Sequence, residues 1–556
     1  MNKTIIGKEC RFAVHIPKND TRQNDYHLIK EQVHYDDGTS GQNVIMAKDF
    51  QRSFYVTKKA FQNHQSKKEW EEKDHLIEYH CSQSDLRDRI AKAIGKQWSK
   101  EKLRKILDTP FVYGADISSS SLIKKKYKDK YPKFETGYSV ATFDIEFDVI
   151  GDDGIILITT VFKDQIHTVV IKKFIKGIAD PINKLDSLMD KYLSNYIKKH
   201  NFNVETEIAE DELDAIRLSF KKIHEWKPDF LSIWNMNYDI PQIISACDKY
   251  SVDPATFFSD PSVPKHMRVF KYHQGKNKKV TASGKVIPIS PAAQWHYVES
   301  TSSFYIIDAM CSYKHIRQGK QEEASYALDA ILDKELGIRK LKFKECDEYT
   351  GLKWHQEMQE RFKLEYIVYN RFDCISMIEL EQKTRDVSLT IPMFSGFSDF
   401  SIFNSQPKRA TDALYYYCLE NDMVIGTSGT GLDEDIDDDL LDLSSWIVTL
   451  PAHMVDDNGL QCIKESPDIK SNIRYAVADL DVSSAYPHGQ ICYNISKETT
   501  RKEIISIEDV PESVFRMQNI NLFSGHVNSI EYCTRMFGFP TADDLLKLID
   551  SEHSCS

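Results

Sequence analysis

Asp144 and Glu146 lie two apart in the stretch Thr142-Phe143-Asp144-Ile145-Glu146-Phe147-Asp148. Phe143, Ile145 and Phe147 alternate with the acids, which predicts a strand with one face in a core and the other face of carboxylates. The two acids then stand about 7 Å apart on one face. Carboxylates held that close are costly to ionise together without a cation between them. A hard divalent metal takes such oxygen ligands, and a pair of metals can cleave a phosphodiester. Two later segments carry matching groups. Residues 230–241 read Phe-Leu-Ser-Ile-Trp-Asn-Met-Asn-Tyr-Asp-Ile-Pro. This predicts a strand over Phe230–Ile233, a polar turn and a helix from near Ile240. Asp239 falls at the helix start, where exposed amides favour a carboxylate. Leu364, Ile367, Val368, Phe372 and Ile375 recur at helical spacing. Tyr369 and Asp373, four apart, share one face of that helix. A phenol there can hold a water beside a metal that the carboxylate binds.

Taken in order, Asp-Ile-Glu on a strand, Asn-x-x-Tyr-Asp at a strand-to-helix turn and Tyr-x-x-x-Asp on a helix resemble three known motifs. They are Exo I, Exo II and Exo III of the DEDDy 3′–5′ exonuclease domain of family B DNA polymerases. Residues 478–487, Ala-Asp-Leu-Asp-Val-Ser-Ser-Ala-Tyr-Pro, resemble motif A of the family's palm, with Ala485 where Leu is usual. The Asn494-Ile-Ser-Lys-Glu-Thr499 stretch is similar to the segment just after motif A in phage polymerases. The resemblance implies an α/β chain, mixed α+β in detail. Its ribonuclease-H-like exonuclease domain would have a mixed sheet flanked by helices. It also implies roles. Asp144, Glu146, Asp239 and Asp373 would hold two Mg²⁺, which Mn²⁺ can replace, and Tyr369 would orient the attacking water. Asn235 and Tyr238 would hold the terminal nucleotide. Asp481 would bind the polymerase metals, and Tyr486 would be the steric gate against a ribose 2′-OH. The implied partners are a single-stranded DNA 3′ end, primer-template and deoxynucleotides.

Motif B on the fingers and motif C on the palm do not occur in this sequence, nor does the Tyr-x-Gly-Gly stretch that precedes motif A in many relatives. Residues 446–475 fill that place. The resemblance thus covers the first half of a polymerase and implies a second polypeptide with the rest, as in a split enzyme of a large tailed phage. Two other readings stand beside it: a free-standing exonuclease with a vestigial palm, and a non-catalytic DNA-binding scaffold.

At 556 residues the chain is too long for one core. Four segments are expected: an N-terminal domain (1–135), the exonuclease domain (136–390), a helical connection with an acidic loop (391–445) and the start of the palm (446–556). Charged residues make up 28%, ordinary for a globular protein. Eleven cysteines lack paired spacing, so neither a zinc site nor a disulfide framework is indicated, and a cytoplasmic setting is expected. No apolar run reaches membrane length, so no membrane partner is expected. Net charge is −12, but nucleic acid follows a local basic track rather than the sum. One such track is Lys124–Lys133, with six lysines around Tyr127 and Tyr131; it suits either a strand of phosphates or a solvated loop. Helices are expected over Ser84–Lys96, Asp211–Glu225, Trp354–Lys383 and Ala410–Asn421.

Overall fold

The computed structural model describes residues 3–426, apart from 21, 66, 96–108, 152–153, 281–284 and 319–321, together with 488, 491 and 492. Asp481, Tyr486 and the acidic loop lie outside the described residues, as does almost all of 446–556.

The chain opens with an antiparallel meander of β1 (Ile5–Ile16), β2 (Tyr26–Tyr35) and β3 (Ser40–Lys48). Most of the lysine-rich run is helix rather than loop, with Lys126, Lys130 and Lys133 exposed. It forms α1 (Ser119–Lys130), capped by Ser118, whose hydroxyl accepts from the Ser121 N–H at 3.1 Å. Lys124 is buried, donates to the Ser398 carbonyl at 2.8 Å and lies over the Phe400 ring. The Tyr127 hydroxyl is spent on Glu31. Helical spacing turned one side of the run inward, which a count of lysines does not reveal.

A six-stranded mixed sheet comes next. Its strands are β4 (Val140–Phe147), β5 (Ile155–Phe162), β6 (Gln165–Ile171), β7 (Asn203–Ala209), β8 (Phe230–Ile233) and β9 (Tyr305–Asp308), in the order β7-β6-β5-β4-β8-β9. β4, β5 and β6 run antiparallel as two hairpins, whereas β8 pairs parallel with both β4 and β9. β5 is buried along its whole length, as its six apolar residues favour, and the buried Thr159 hydroxyl pairs with that of Thr168 at 3.1 Å. Asp148 closes the first hairpin by accepting from the Ile150 and Gly151 amides.

Helices pack on and around this sheet: α2 (Pro181–His200), α3 (Glu212–Trp226), α4 (Met236–Lys249), α5 (Ala309–Ile316), α6 (Leu328–Leu336), α7 (Gly351–Arg361) and α8 (Lys363–Thr384), with α6 packed on α8. The single helix expected over Trp354–Lys383 is two, because Phe362 leaves helical backbone at φ −127°, ψ 47° and sets its ring against the core. α8 is central: every residue from Tyr366 to Leu380 is buried, apolar and polar alike. It lies against β4 and β5, with α2 and α7 also packed on it. α9 (Gln406–Glu420) begins four residues before the expected start at Ala410.

The meander is joined to the sheet through buried charge. Lys30 is fully buried, and its ammonium donates to the Lys227 and Ser303 carbonyls and to Gln42. Among the described residues no helix is long and apolar enough to cross a membrane.

Candidate active site

Parallel neighbours β4, β8 and β9 deliver their carboxyl ends to one edge, where open α/β sheets place their ligands. Asp144 and Glu146 end β4. After β8 two residues, Trp234 and Asn235, make the turn: Asn235 takes φ +69°, and α4 begins at Met236. The helix therefore starts four residues before the expected Ile240, and Asp239 lies in its first turn rather than ahead of it. Pro241 misleads here, since proline favours a first turn yet sits inside this helix.

Asp308, for which the sequence offered no role, ends β9 and joins the site's elements. Its carboxylate accepts from the Met236 N–H at 2.8 Å, at the start of α4, and from the Cys311 N–H at 2.8 Å, capping α5. Burial pushes its pKa up to about 6 against the pull of those amides. Asp308→Ala strands two buried donors and is expected to cost about 2–4 kcal/mol in urea unfolding. A change within about 0.5 kcal/mol, as at a surface position, would remove this role.

α8 supplies the opposite wall. Asp144, Glu146 and Asp373 each offer an oxygen, and the three oxygens lie within 4.8 Å of one another. Asp239 is buried and lines the same cleft, but stands outside that close group. Each acid of the close group is held by a neighbour that sequence reasoning missed. Tyr366 donates to Glu146 Oε2 at 2.5 Å, and Asn370 Nδ2 to Asp144 Oδ2 at 2.6 Å. Lys340 Nζ donates to Asp373 Oδ2 at 2.6 Å and to the Tyr369 hydroxyl at 3.0 Å. Asp373 Oδ1 is buried without a partner. The Trp354 ring lies 4.8 Å from that of Tyr369. Tyr366 and Asn370 share the face of Tyr369 and Asp373, so helical spacing alone could have found them. Lys340 gave no signal, being one of several cations in a charged loop.

The cleft holds about 430 Å³. Asn235 and Tyr238 line it, and Tyr238 is 52% exposed with its ring edge-on to Phe147. Burial first, then the charges of Glu146, Asp239 and Asp373, push Asp144 well above the usual carboxylate range. Burial lifts Glu146 to about 7, with the Asp373 charge adding to it and the Tyr366 bond opposing. Asp239 is raised well above its ordinary value by burial and then by Glu146 and Asp308. Asp373 is raised by burial too, against the nearby Lys340. Burial works against the charged form of Lys340, yet Asp373, Tyr369 and Asp144 together hold its pKa well above normal.

This donor set is all oxygen, repels itself, and keeps one buried carboxylate oxygen unspent. It fits a hard divalent cation such as Mg²⁺ or Mn²⁺. Two other ligand-type clusters exist among the described residues, and both are already internally bonded. In His296, Asp308 and Cys311 the carboxylate is spent on backbone amides. In His167, Glu205 and Glu207 the imidazole is spent on Glu207 at 2.8 Å. No protein-family model matches the chain, and comparison with curated proteins finds no match. The assignment of the site therefore rests on its own geometry.

Proposed function

We propose that this chain is a two-metal 3′–5′ DNA exonuclease, the proofreading part of a family B DNA polymerase, built on a ribonuclease-H-like domain. One observation carries the reading: the oxygens of Asp144, Glu146 and Asp373 gathered within 4.8 Å, with Asp239 in the same open cleft. Two bound Mg²⁺ would offset the charge of a phosphodiester, lower the pKa of the attacking water and stabilise the departing 3′ oxygen. The four carboxylates would hold them. Lys340 keeps Tyr369 and Asp373 together, which sets the phenol where it can orient the attacking water. The exposed face of Tyr238 offers a stacking surface for the terminal base, with Asn235 beside it.

The polymerase half of the proposal rests on the motif A resemblance around Asp481 and Tyr486. On this reading motifs B and C would complete the polymerase site. The free-standing exonuclease remains the second reading, because the geometry favours the nuclease independently of the palm.

The test uses single-stranded DNA with Mg²⁺, 5′-labelled when linear and internally labelled when circular. A ladder shortening from the 3′ end, circles left intact, and full arrest by chelator with recovery on Mg²⁺ or Mn²⁺ are expected. Cut circles, or cleavage that persists in chelator, would refute the proposal.

A further inference from the structure

The ladder between β4 and β5 slips by one residue between Glu146 and Phe147, beside the acid lifted to about 7. A slip of this kind re-aims the neighbouring side chain and leaves backbone groups that need other partners. Those partners come from α7. Gln359 is 2% exposed; its amide nitrogen donates to the Phe147 carbonyl at 2.5 Å, and its amide oxygen accepts from the Val149 N–H at 3.0 Å. One turn earlier, His355 Nδ1 lies 2.8 Å from the Tyr366 hydroxyl, which donates to Glu146 Oε2. The phenol has one proton. With that proton on the bond to an ionised Glu146, Nδ1 carries the hydrogen in its contact with Tyr366.

We propose that α7 is a clamp that sets the direction of Glu146: Gln359 grips the backbone just after it, and His355, through Tyr366, grips its carboxylate. Gln359, His355 and Tyr366 are positioning residues. The clamp rests on the exonuclease reading for what Glu146 is used for, but its effect on the cation site stands apart from cleavage. A ligand whose direction is held from two sides is pre-organised, and loss of outer partners of this kind weakens metal binding by about 10- to 100-fold. If Gln359 merely satisfied two amide groups, its removal would lower stability and leave cation affinity unchanged.

The experiment compares the full chain with Gln359→Met, which keeps bulk and removes both bonds, and Tyr366→Phe, which leaves the backbone bonds intact. Mn²⁺ binding is followed by the electron-spin resonance of the free ion, alongside thermal melting and the Mg²⁺ dependence of 3′-end cleavage. Both variants are expected to bind Mn²⁺ about 10- to 100-fold more weakly, with a matching rise in half-saturating Mg²⁺. Tyr366→Phe is expected to melt close to the parent, which separates cation affinity from folding. Parental Mn²⁺ affinity in a folded Tyr366→Phe or Gln359→Met chain overturns the clamp. If the parent binds Mn²⁺ but does not cut DNA, the exonuclease reading falls and the clamp is judged on Mn²⁺ affinity alone. If the parent binds no Mn²⁺, both fall.

Discussion

The double variant Asp144→Asn, Glu146→Gln is expected to lose 3′-end cleavage by at least about 10³-fold, the equivalent of about 4 kcal/mol of transition-state stabilisation. The amides keep the shape of the acids. They can still accept from Asn370 and Tyr366, which now bond the two carboxylates at 2.6 and 2.5 Å. What they lack is charge, and a hard cation binds a neutral amide oxygen far more weakly than a carboxylate. The same change should not unfold the protein. In chelator, Asp144 carries the cost of three neighbouring acids, so removing two charges relieves repulsion, and the variant is expected to melt at or above the parent. Loss of cleavage in a chain that melts normally ties the activity to these oxygens. Cleavage at the parental rate would show that the cluster is not the catalytic centre.

Much of this site was legible because its parts are local. Strict alternation from Phe143 to Phe147 identified β4 and its carboxylate face, and the apolar run Phe230–Ile233 became β8 without change. What brings Asp144 near Asp239 is not local. β8 inserts beside β4 although β5, β6 and β7 come between them in sequence, and no periodicity in any one segment encodes that order. α8 shows a different limit. Its apolar residues are regularly spaced, but the helix is buried all round, so its period does not mark which face meets the acids. Tyr366 and Asn370 thus stand out only by their spacing from Tyr369 and Asp373. Lys340 reaches Asp373 from a loop 33 residues away, and loop residues carry no face to read. The break at Phe362 was hidden for a similar reason. Neither glycine nor proline marks it, and the tertiary core, not local propensity, holds Phe362 out of the helix.

The metal-free parent is expected to lose stability as pH rises toward 8, and Mg²⁺ to restore it. An acid whose folded pKa exceeds its unfolded value keeps a proton in the folded chain that the unfolded chain has already released. The unfolded state then binds fewer protons, so stability falls as pH rises between the two values. Glu146 spans from 4.5 to about 7, which corresponds to a penalty on the order of 3 kcal/mol, complete near pH 8. Asp144 and Asp239 are shifted in the same direction. Buried histidines oppose this at lower pH. His27, His224 and His296 are held near 4 by burial, so they add stability as pH rises to about 6.5 and nothing beyond it. The difference between the parent and the double amide variant cancels them. In chelator that difference should favour the variant increasingly from pH 5.5 to 8. Mg²⁺ binds only the folded site and must find its ligands deprotonated. Its addition should therefore raise the melting temperature of the parent more at pH 8 than at pH 5.5, and barely move that of the variant. Parallel melting curves for the two chains across this range, with and without Mg²⁺, would mean that these acids are neither crowded nor metal-binding.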